Sequence, residues 1–254
     1  MIAPRTGPTG VSVDLPTPAS ALAIVAHPDD AEFQVGATLA KWARAGCTVH
    51  HLVLTDGSKG TWDPTVDQVE LVGRRREEQL AAARLLGGGD VTFLDHVDGE
   101  LAASHDVRAQ VCEVIRRVRP AVVLGHDPWK RYRLHPDHRA AGQLCVDGIV
   151  AARDPFFHAE QLTDGLTPHR PDALLLFEAD QVNHVEAVGE ADLSDKLLAL
   201  EAHVSQMETT HFYKVGDGDP LEAFRGRQRH KLATAGAHAE VPLGEAYHLI
   251  VDQL

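Results

Sequence analysis

The chain has 254 residues, of which 44% are hydrophobic and 24% are charged, as in ordinary soluble globular proteins. Its formal net charge of −13 argues against nucleic acid or an anionic membrane surface as a partner, because both repel a strongly acidic protein. The three cysteines are isolated and odd in number, which favours reduced, buried thiols in a cytoplasmic protein over a disulfide framework.

Residues 1–20 contain several prolines and lack the apolar run of a signal peptide, and no later segment has the length of a transmembrane helix. We therefore expect a flexible N-terminal arm over residues 1–20. A single domain is expected over residues 21–254, since no linker or internal repeat is visible.

From residue 21 onward, short apolar runs alternate with longer amphipathic segments. The runs predict strands over residues 21–26, 48–55, 91–94, 121–125 and 173–177. The amphipathic segments predict helices over residues 31–45, 66–86, 107–118, 137–152 and 193–207. This alternation is typical of an α/β fold of the Rossmann-like, doubly wound kind, with a mostly parallel sheet and helices on both faces. Further on, the pattern indicates a helix over residues 220–235 and an edge strand over residues 245–251.

Polar clusters follow each of the first four predicted strands. They are the segments at residues 27–30, 55–57, 95–98 and 126–138. Ligands bind such folds outside the carboxyl ends of the strands. The four clusters are therefore expected to meet at one rim of the sheet.

Two of these clusters have the composition of a metal site. In His27-Pro28-Asp29-Asp30 an imidazole and the carboxylate of Asp30 flank a turn, leaving Asp29 free for proton transfer, and the second cluster contains His135 and His138. Two histidines and a carboxylate suit catalytic zinc, and iron(II) is an alternative because the same ligand types also form its facial triad. Either motif alone has an ordinary alternative, a helix cap or a chance pair of histidines. Together, after strands that end at the same rim, they favour one shared metal site.

The segments AHPDDAEFQVGATLAKWARAG, LTDGSKG, RRREEQLAAARLLGG and HPDHRAAG, in this order, resemble the LmbE-like (PIG-L) family of zinc de-N-acetylases. The resemblance extends from about residue 21 to residue 207. It implies that His27, Asp30 and His138 bind the metal. It further implies that Asp29 is the general base and that His135 stabilises the oxyanion or assists the leaving amine.

The resemblance also implies substrate-binding roles for Arg75 and Asp98. Each has an ordinary alternative, because runs of three arginines are usually solvated helix faces and Asp98-Gly99 is typical of a turn. The chain departs from the family in two places. Ala31 precedes Glu32 where many members have the glutamate directly, and Arg133, after Tyr132, occupies the position of a tyrosine in the mycothiol deacetylase.

The expected activity is zinc-dependent hydrolysis that removes an N-acyl group, an acetyl above all, from a small amino-sugar substrate. One alternative keeps the metal site but takes a thiol conjugate or an acylated natural product as substrate. Another is a catalytically silent metal- or sugar-binding protein, although binding alone needs neither Asp29 nor His135. A nucleotide-binding function is disfavoured because no GxGxxG follows the first strand. Since family members are often oligomeric, we expect a homo-oligomer.

Overall fold

In the computed structural model, residues 4–7, 9–212, 218–252 and 254 are described. A nine-stranded sheet has the order β1-β2-β8-β9-β7-β6-β3-β4-β5. Its strands are β1 (Arg5–Thr6), β2 (Ser12–Val13), β3 (Ser20–Val25), β4 (Thr48–Thr55), β5 (Val91–His96), β6 (Val122–His126), β7 (Ala173–Phe177), β8 (His184–Ala187) and β9 (Gly244–Ile250). The helices are α1 (Asp30–Arg44), α2 (Gln68–Leu85), α3 (His105–Val118), α4 (Pro136–Arg153), α5 (Glu160–Thr163), α6 (Glu190–Glu201) and α7 (Pro220–Gly236), with short 3₁₀ or π turns at Val204–Gln206, Met207–His211 and Ala237–Ala239.

The sheet separates two hydrophobic cores. Along β3, Ala21, Ala23 and Val25 point to the core that contains α1 and α6, whereas Leu22 and Ile24 point to the core under α3 and α4. This alternation follows from the two-residue period of a strand. Since both faces of β3 are covered, the strand is apolar throughout, as parallel strands in doubly wound folds are.

The central strand β3 lies between β4 and β6, and all three are parallel. The chain proceeds from β3 to β4 and β5 on one side and returns to β6 and β7 on the other. The strand order therefore reverses between β3 and β6, which is the position where doubly wound folds bind ligands. The α/β, mostly parallel fold predicted from the sequence is confirmed.

Two details of the prediction are wrong. The strand expected at the edge, β9, is interior and pairs antiparallel with both β7 and β8. The segment expected to be a flexible arm is partly docked, since β2 pairs with β8, and Val13 and Leu15 are buried. Within the described residues, no helix combines the length and apolarity required to cross a membrane.

Candidate active site

Three side chains from the two histidine-containing motifs meet at the switch point of the sheet. His27 Nδ1 lies 3.4 Å from Asp30 Oδ2, and His138 Nε2 lies 3.3 Å from Asp30 Oδ1. The two imidazole nitrogens, His27 Nδ1 and His138 Nε2, are 3.3 Å apart. His27 follows β3, Asp30 begins α1 and His138 lies in the first turn of α4, so three elements bring these atoms together.

This arrangement fits a divalent cation. Donor atoms at the corners of a tetrahedron with metal bonds of about 2.0–2.1 Å are separated by about 3.3–3.4 Å. The separation between His27 Nδ1 and His138 Nε2 agrees with that spacing, and the two oxygens of the Asp30 carboxylate lie at similar distances, Oδ2 from His27 and Oδ1 from His138. The surrounding carboxylates also favour positive charge: burial alone would lower the pKa of His27, but Asp137, Asp30 and Asp98 raise it to about 12.

Two carboxylates orient His27 from the side opposite Asp30. His27 Nε2 lies 3.0 Å from Asp137 Oδ2 and 3.2 Å from Asp98 Oδ1. Nε2 must carry the proton to donate to them, which leaves Nδ1 of the neutral ring as a free acceptor facing Asp30 and His138 that could bind a cation. Such a second carboxylate fixes the tautomer of a metal-binding histidine and increases its basicity.

Asp30 is held as a carboxylate. Burial alone would raise its pKa, but His138, His126 and His27 hold the pKa of Asp30 well below its ordinary value. The ring of His126, at the end of β6, is fully buried and places Nε2 3.4 Å from Asp30 Oδ2. Asp30 Oδ2 also accepts a hydrogen bond from the backbone N–H of His27 at 2.8 Å.

Asp29 lies beside this cluster in an unusual backbone conformation, with φ 94° and ψ −22°. Its side chain is buried, and the guanidinium Nη2 of Arg75 is 3.6 Å from its Oδ2. Burial raises the pKa of Asp29 to about 6, although Arg75 and His203 oppose the shift. A carboxylate with this pKa is a better proton acceptor near neutral pH than an exposed aspartate.

His135 caps α4 and is exposed to the cavity. Its Nδ1 accepts the backbone N–H of Asp137 at 3.3 Å, so the proton of the neutral ring lies on Nε2. Burial, followed by the charges of His27 and His138, lowers the pKa of His135. At neutral pH the ring is therefore an uncharged donor.

Arg75 is the one arginine of its run that turns into the protein. It is 3% exposed, and its Nη1 and Nη2 donate to the carbonyl oxygens of Gly57 and Pro28 at 2.9 and 2.6 Å. Gly57 and Gly60 allow this approach, because a Cβ on either residue would lie within 2.6 Å of the guanidinium. The LTDGSKG segment thus forms a backbone cradle around Arg75.

Asp98 is also buried at the site rather than in a free turn. Its Oδ2 accepts the backbone N–H of Lys59 at 3.1 Å, while Oδ1 faces His27. Arg75 and Asp98 both line a cavity of about 400 Å³ above the cluster, together with His135, Gln206 and Thr210. Their predicted contacts with a substrate remain predictions.

Several residues of the site were missed in the sequence. Asp137 and His126 had no motif-based role, although Asp137 is the third residue of HPDH. Gln206 ends the 3₁₀ turn at Val204–Gln206, and Thr210 lies in the π turn at Met207–His211 that follows it; both reach the cavity from far along the chain, and π turns are frequent at functional sites. Such long-range contributions leave no local pattern.

The loop between β6 and α4 contributes less to the cavity than expected. Arg133 pairs with Glu178 and lies 3.3 Å from His138 Nδ1, so it supports the cluster from outside. Asp127 accepts the backbone N–H groups of Trp129 and Asp180, which stabilises the loop itself. Trp62 and Trp129 are more than 60% exposed and do not line the cavity.

The chain is similar in sequence or structure to several known deacetylases. Diacetylchitobiose deacetylase of Thermococcus kodakarensis is 40% identical over 189 residues, covering 73% of this chain and 69% of the relative. A 1D-myo-inositol 2-acetamido-2-deoxy-alpha-D-glucopyranoside deacetylase of Kineococcus radiotolerans is 32% identical over 169 residues, covering 54% of this chain and 46% of the relative, so the chain spans about half the length of that protein. The structure of N,N'-diacetylchitobiose deacetylase from Pyrococcus horikoshii superimposes with a TM-score of 0.82 at 30% identity, covering 92% of this chain and 84% of that one.

A family profile covers the part of the chain that carries the site. Residues 22–149 match the PIG-L profile, described as GlcNAc-PI de-N-acetylase. This range contains both histidine motifs, Arg75 and Asp98. The resemblance inferred from the sequence is confirmed: the chain belongs to the PIG-L family of de-N-acetylases.

Proposed function

We propose that this chain hydrolyses the N-acetyl group of a small molecule containing N-acetylglucosamine, with a divalent metal held by His27, Asp30 and His138. The observation that carries the proposal is the convergence of these three side chains: His27 Nδ1 and His138 Nε2 lie 3.3 Å apart, and each lies within 3.4 Å of one oxygen of the Asp30 carboxylate, with Asp29 beside them. Relatives that deacetylate diacetylchitobiose and an inositol glycoside of N-acetylglucosamine support this substrate class.

In this mechanism a bound metal would act as a Lewis acid that acidifies water and polarises the amide carbonyl. Asp29 accepts the proton of the attacking water and passes it to the departing nitrogen. The N–H at Nε2 of His135 donates to the carbonyl oxygen as negative charge develops there. Arg75 keeps Asp29 partly ionised in a buried position, since its guanidinium opposes the effect of desolvation on the pKa.

Arg75 and Asp98 are also proposed to contact the sugar from the wall of the cavity. Both residues line the cavity above the proposed metal ligands. Variants of either residue would raise KM if they bind substrate. A change confined to kcat would instead assign them to the support of Asp29 and His27.

Metal analysis of the purified protein and an amine-release assay test this function. The substrates are N-acetylglucosamine, diacetylchitobiose and the inositol glycoside of N-acetylglucosamine. We expect one equivalent of metal and amine release from at least one substrate. A metal-loaded protein that releases amine from none of them would favour an acylated thiol conjugate or natural product. An inactive protein that binds no metal would favour a silent binder.

Zinc is the proposed metal, with iron(II) as the alternative for the same ligand types. Reconstitution of the metal-free protein with each ion, under anaerobic conditions for iron, distinguishes them.

We further propose a cytoplasmic homo-oligomer. Light scattering of the purified protein measures its subunit number.

A further inference from the structure

The peptide bond that precedes the proposed base is held by two side chains of one helix. Arg75 Nη2 donates to the carbonyl oxygen of Pro28 at 2.6 Å, and Gln79 Oε1 accepts the N–H of Asp29 at 2.9 Å. These are the two polar groups of the same peptide unit. Arg75 and Gln79 are four residues apart in α2 and therefore lie on one face of that helix.

This arrangement fixes a backbone conformation that side-chain-bearing residues rarely adopt. Asp29 has a positive φ of 94°, and no side chain caps α1 at this position. Such conformations persist where surrounding contacts determine them, and they cluster at functional sites. Rotation about the N–Cα bond of Asp29 would redirect its carboxylate. The hydrogen bonds of Arg75 and Gln79 to the two polar groups of the preceding peptide unit oppose this rotation.

The orientation of the Gln79 amide is itself determined by a buried carboxylate. Gln79 Nε2 donates to Glu32 Oε1 at 2.8 Å, so the amide oxygen must face Asp29. Gln79 and Glu32 are both fully buried, and Glu32 Oε2 lies 3.4 Å from His203 Nε2. Glu32 is the residue displaced by Ala31 relative to many family members, and this buried contact with Gln79 gives it a role.

We infer that Gln79, oriented by Glu32, is a positioning residue that aims the Asp29 carboxylate at the attacking water. Gln79 hydrogen-bonds to Asp29 and Glu32 and is not among the residues that line the cavity, so we expect its effect on turnover to pass through Asp29. The inference rests on the proposed function, because it assumes that Asp29 is the base. A merely structural role for Gln79 would affect folding stability without a selective effect on turnover.

The test compares Gln79→Leu with a swapped pair, Gln79→Glu combined with Glu32→Gln. In the swapped pair the new carboxylate at position 79 accepts the N–H of Asp29. The new amide at position 32 donates to the second oxygen of that carboxylate, so both hydrogen bonds and the net charge are kept. Gln79→Glu alone places two carboxylates face to face. Gln228→Leu is the control, because Gln228 is a buried glutamine on α7 that is not among the residues lining the cavity.

We expect Gln79→Leu to lower kcat by roughly 10- to 100-fold, as misplaced catalytic groups do, with KM and the metal Kd within about threefold of wild type. The swapped pair should recover turnover that Gln79→Glu lacks, and Gln228→Leu should match wild type. The metal Kd is measured by competition with a chelator, and thermal unfolding is recorded for each variant. A crystal structure of Gln79→Leu should show Asp29 outside the positive φ region.

Three results would overturn the inference: full turnover in Gln79→Leu, a loss of metal affinity proportional to the loss of kcat, or a swapped pair as inactive as Gln79→Glu. If Gln79→Leu does not fold, the comparison of Gln79→Glu with the swapped pair decides. A metal-loaded wild-type protein that deacetylates no N-acetylglucosamine compound contradicts the proposed function instead. The conformation of Asp29 in the Gln79→Leu crystal then still tests the positioning itself.

Discussion

His27 Nδ1 and His138 Nε2 lie 3.3 Å apart, although 111 residues separate them in the chain. His27 lies directly after β3, and His138 lies in the first turn of α4, which follows β6; the strand order reverses between these two strands. The carboxylate of Asp30 lies within 3.4 Å of both nitrogens. The topology of the sheet brings these three side chains together, and the role proposed for each can be tested separately.

Variants of the proposed metal ligands and of His135 should separate metal binding from turnover. His27→Ala and His138→Ala should lose the metal together with activity. His135→Ala should retain the metal and lose on the order of a hundredfold or more in kcat, the usual cost of removing an oxyanion donor. Metal content by mass spectrometry and kcat are measured on the same samples. Since His135 also lies within 4.8 Å of His27 and His138, loss of metal in His135→Ala would make it a ligand.

The activity should rise with pH through the titration of Asp29. Because the base acts as a carboxylate, its protonation below a pKa of about 6 removes the acceptor, and kcat/KM should fall as pH drops through this value. Arg75→Gln removes a nearby positive charge, which should move the acid limb to higher pH. A pH profile of the metal-loaded enzyme checks both statements. An acid limb that stays in place in Arg75→Gln would contradict the electrostatic role of Arg75.

Lys196 and Glu245 form a buried ion pair that hydrogen-bonds to backbone groups of α1. Lys196 Nζ lies 2.6 Å from Glu245 Oε1 and donates to the carbonyl of Phe33, while Glu245 accepts the N–H groups of Ala37 and Thr38. Lys196→Met leaves Glu245 buried and uncompensated, which should cost about 3–5 kcal/mol of unfolding free energy.

Denaturant unfolding measures that cost, and Glu245→Gln added to Lys196→Met should recover part of it. The exposed pair Arg229–Glu190 provides a control, because exposed ion pairs contribute about 0–1 kcal/mol. Equal losses from Lys196→Met and Arg229→Met would show that burial does not matter at the first pair.

The cysteines should be unreactive in the folded protein. Cys47, Cys112 and Cys145 are unpaired and buried, and burial raises the pKa of each thiol to about 11 or 12. Thiolates are the reacting species, so a thiol reagent at pH 8 should label the native protein slowly. In denaturant all three should react at once. Rapid labelling of the native protein would indicate local opening near a cysteine.

The parts of the fold that could be predicted are those encoded by local periodicity. The apolar run of β3 and the amphipathic pattern of α1 require no knowledge of distant residues. The position of β9 requires such knowledge, because an interior antiparallel strand with partly exposed side chains has the same sequence pattern as an edge strand. Ser12–Val13 is too short for any pattern, and its pairing with β8 is visible only in three dimensions.

The same distinction applies to the site. His27, Asp30 and His138 lie in compact motifs whose spacing itself suggests metal binding. Arg74, Arg75 and Arg76 are chemically equivalent in the sequence, and only the rotation of α2 relative to the cavity selects Arg75. The contact of Gln79 with Asp29 spans 50 residues and depends on that same rotation. Side chains that act through the packing of two elements leave no signal in one sequence.

The interior position of β9 has a consequence for synthesis on the ribosome. Everything before Gly244 can be translated while the place between β7 and β8 is still empty, and Glu245 has not yet reached the helix that begins at Asp30. The edges of β7 and β8 that pair with β9 therefore stay unpaired in the nascent protein until β9 is synthesised. This protein is expected to complete its native state only after translation of β9, and its ribosome-bound form should depend on protection from aggregation.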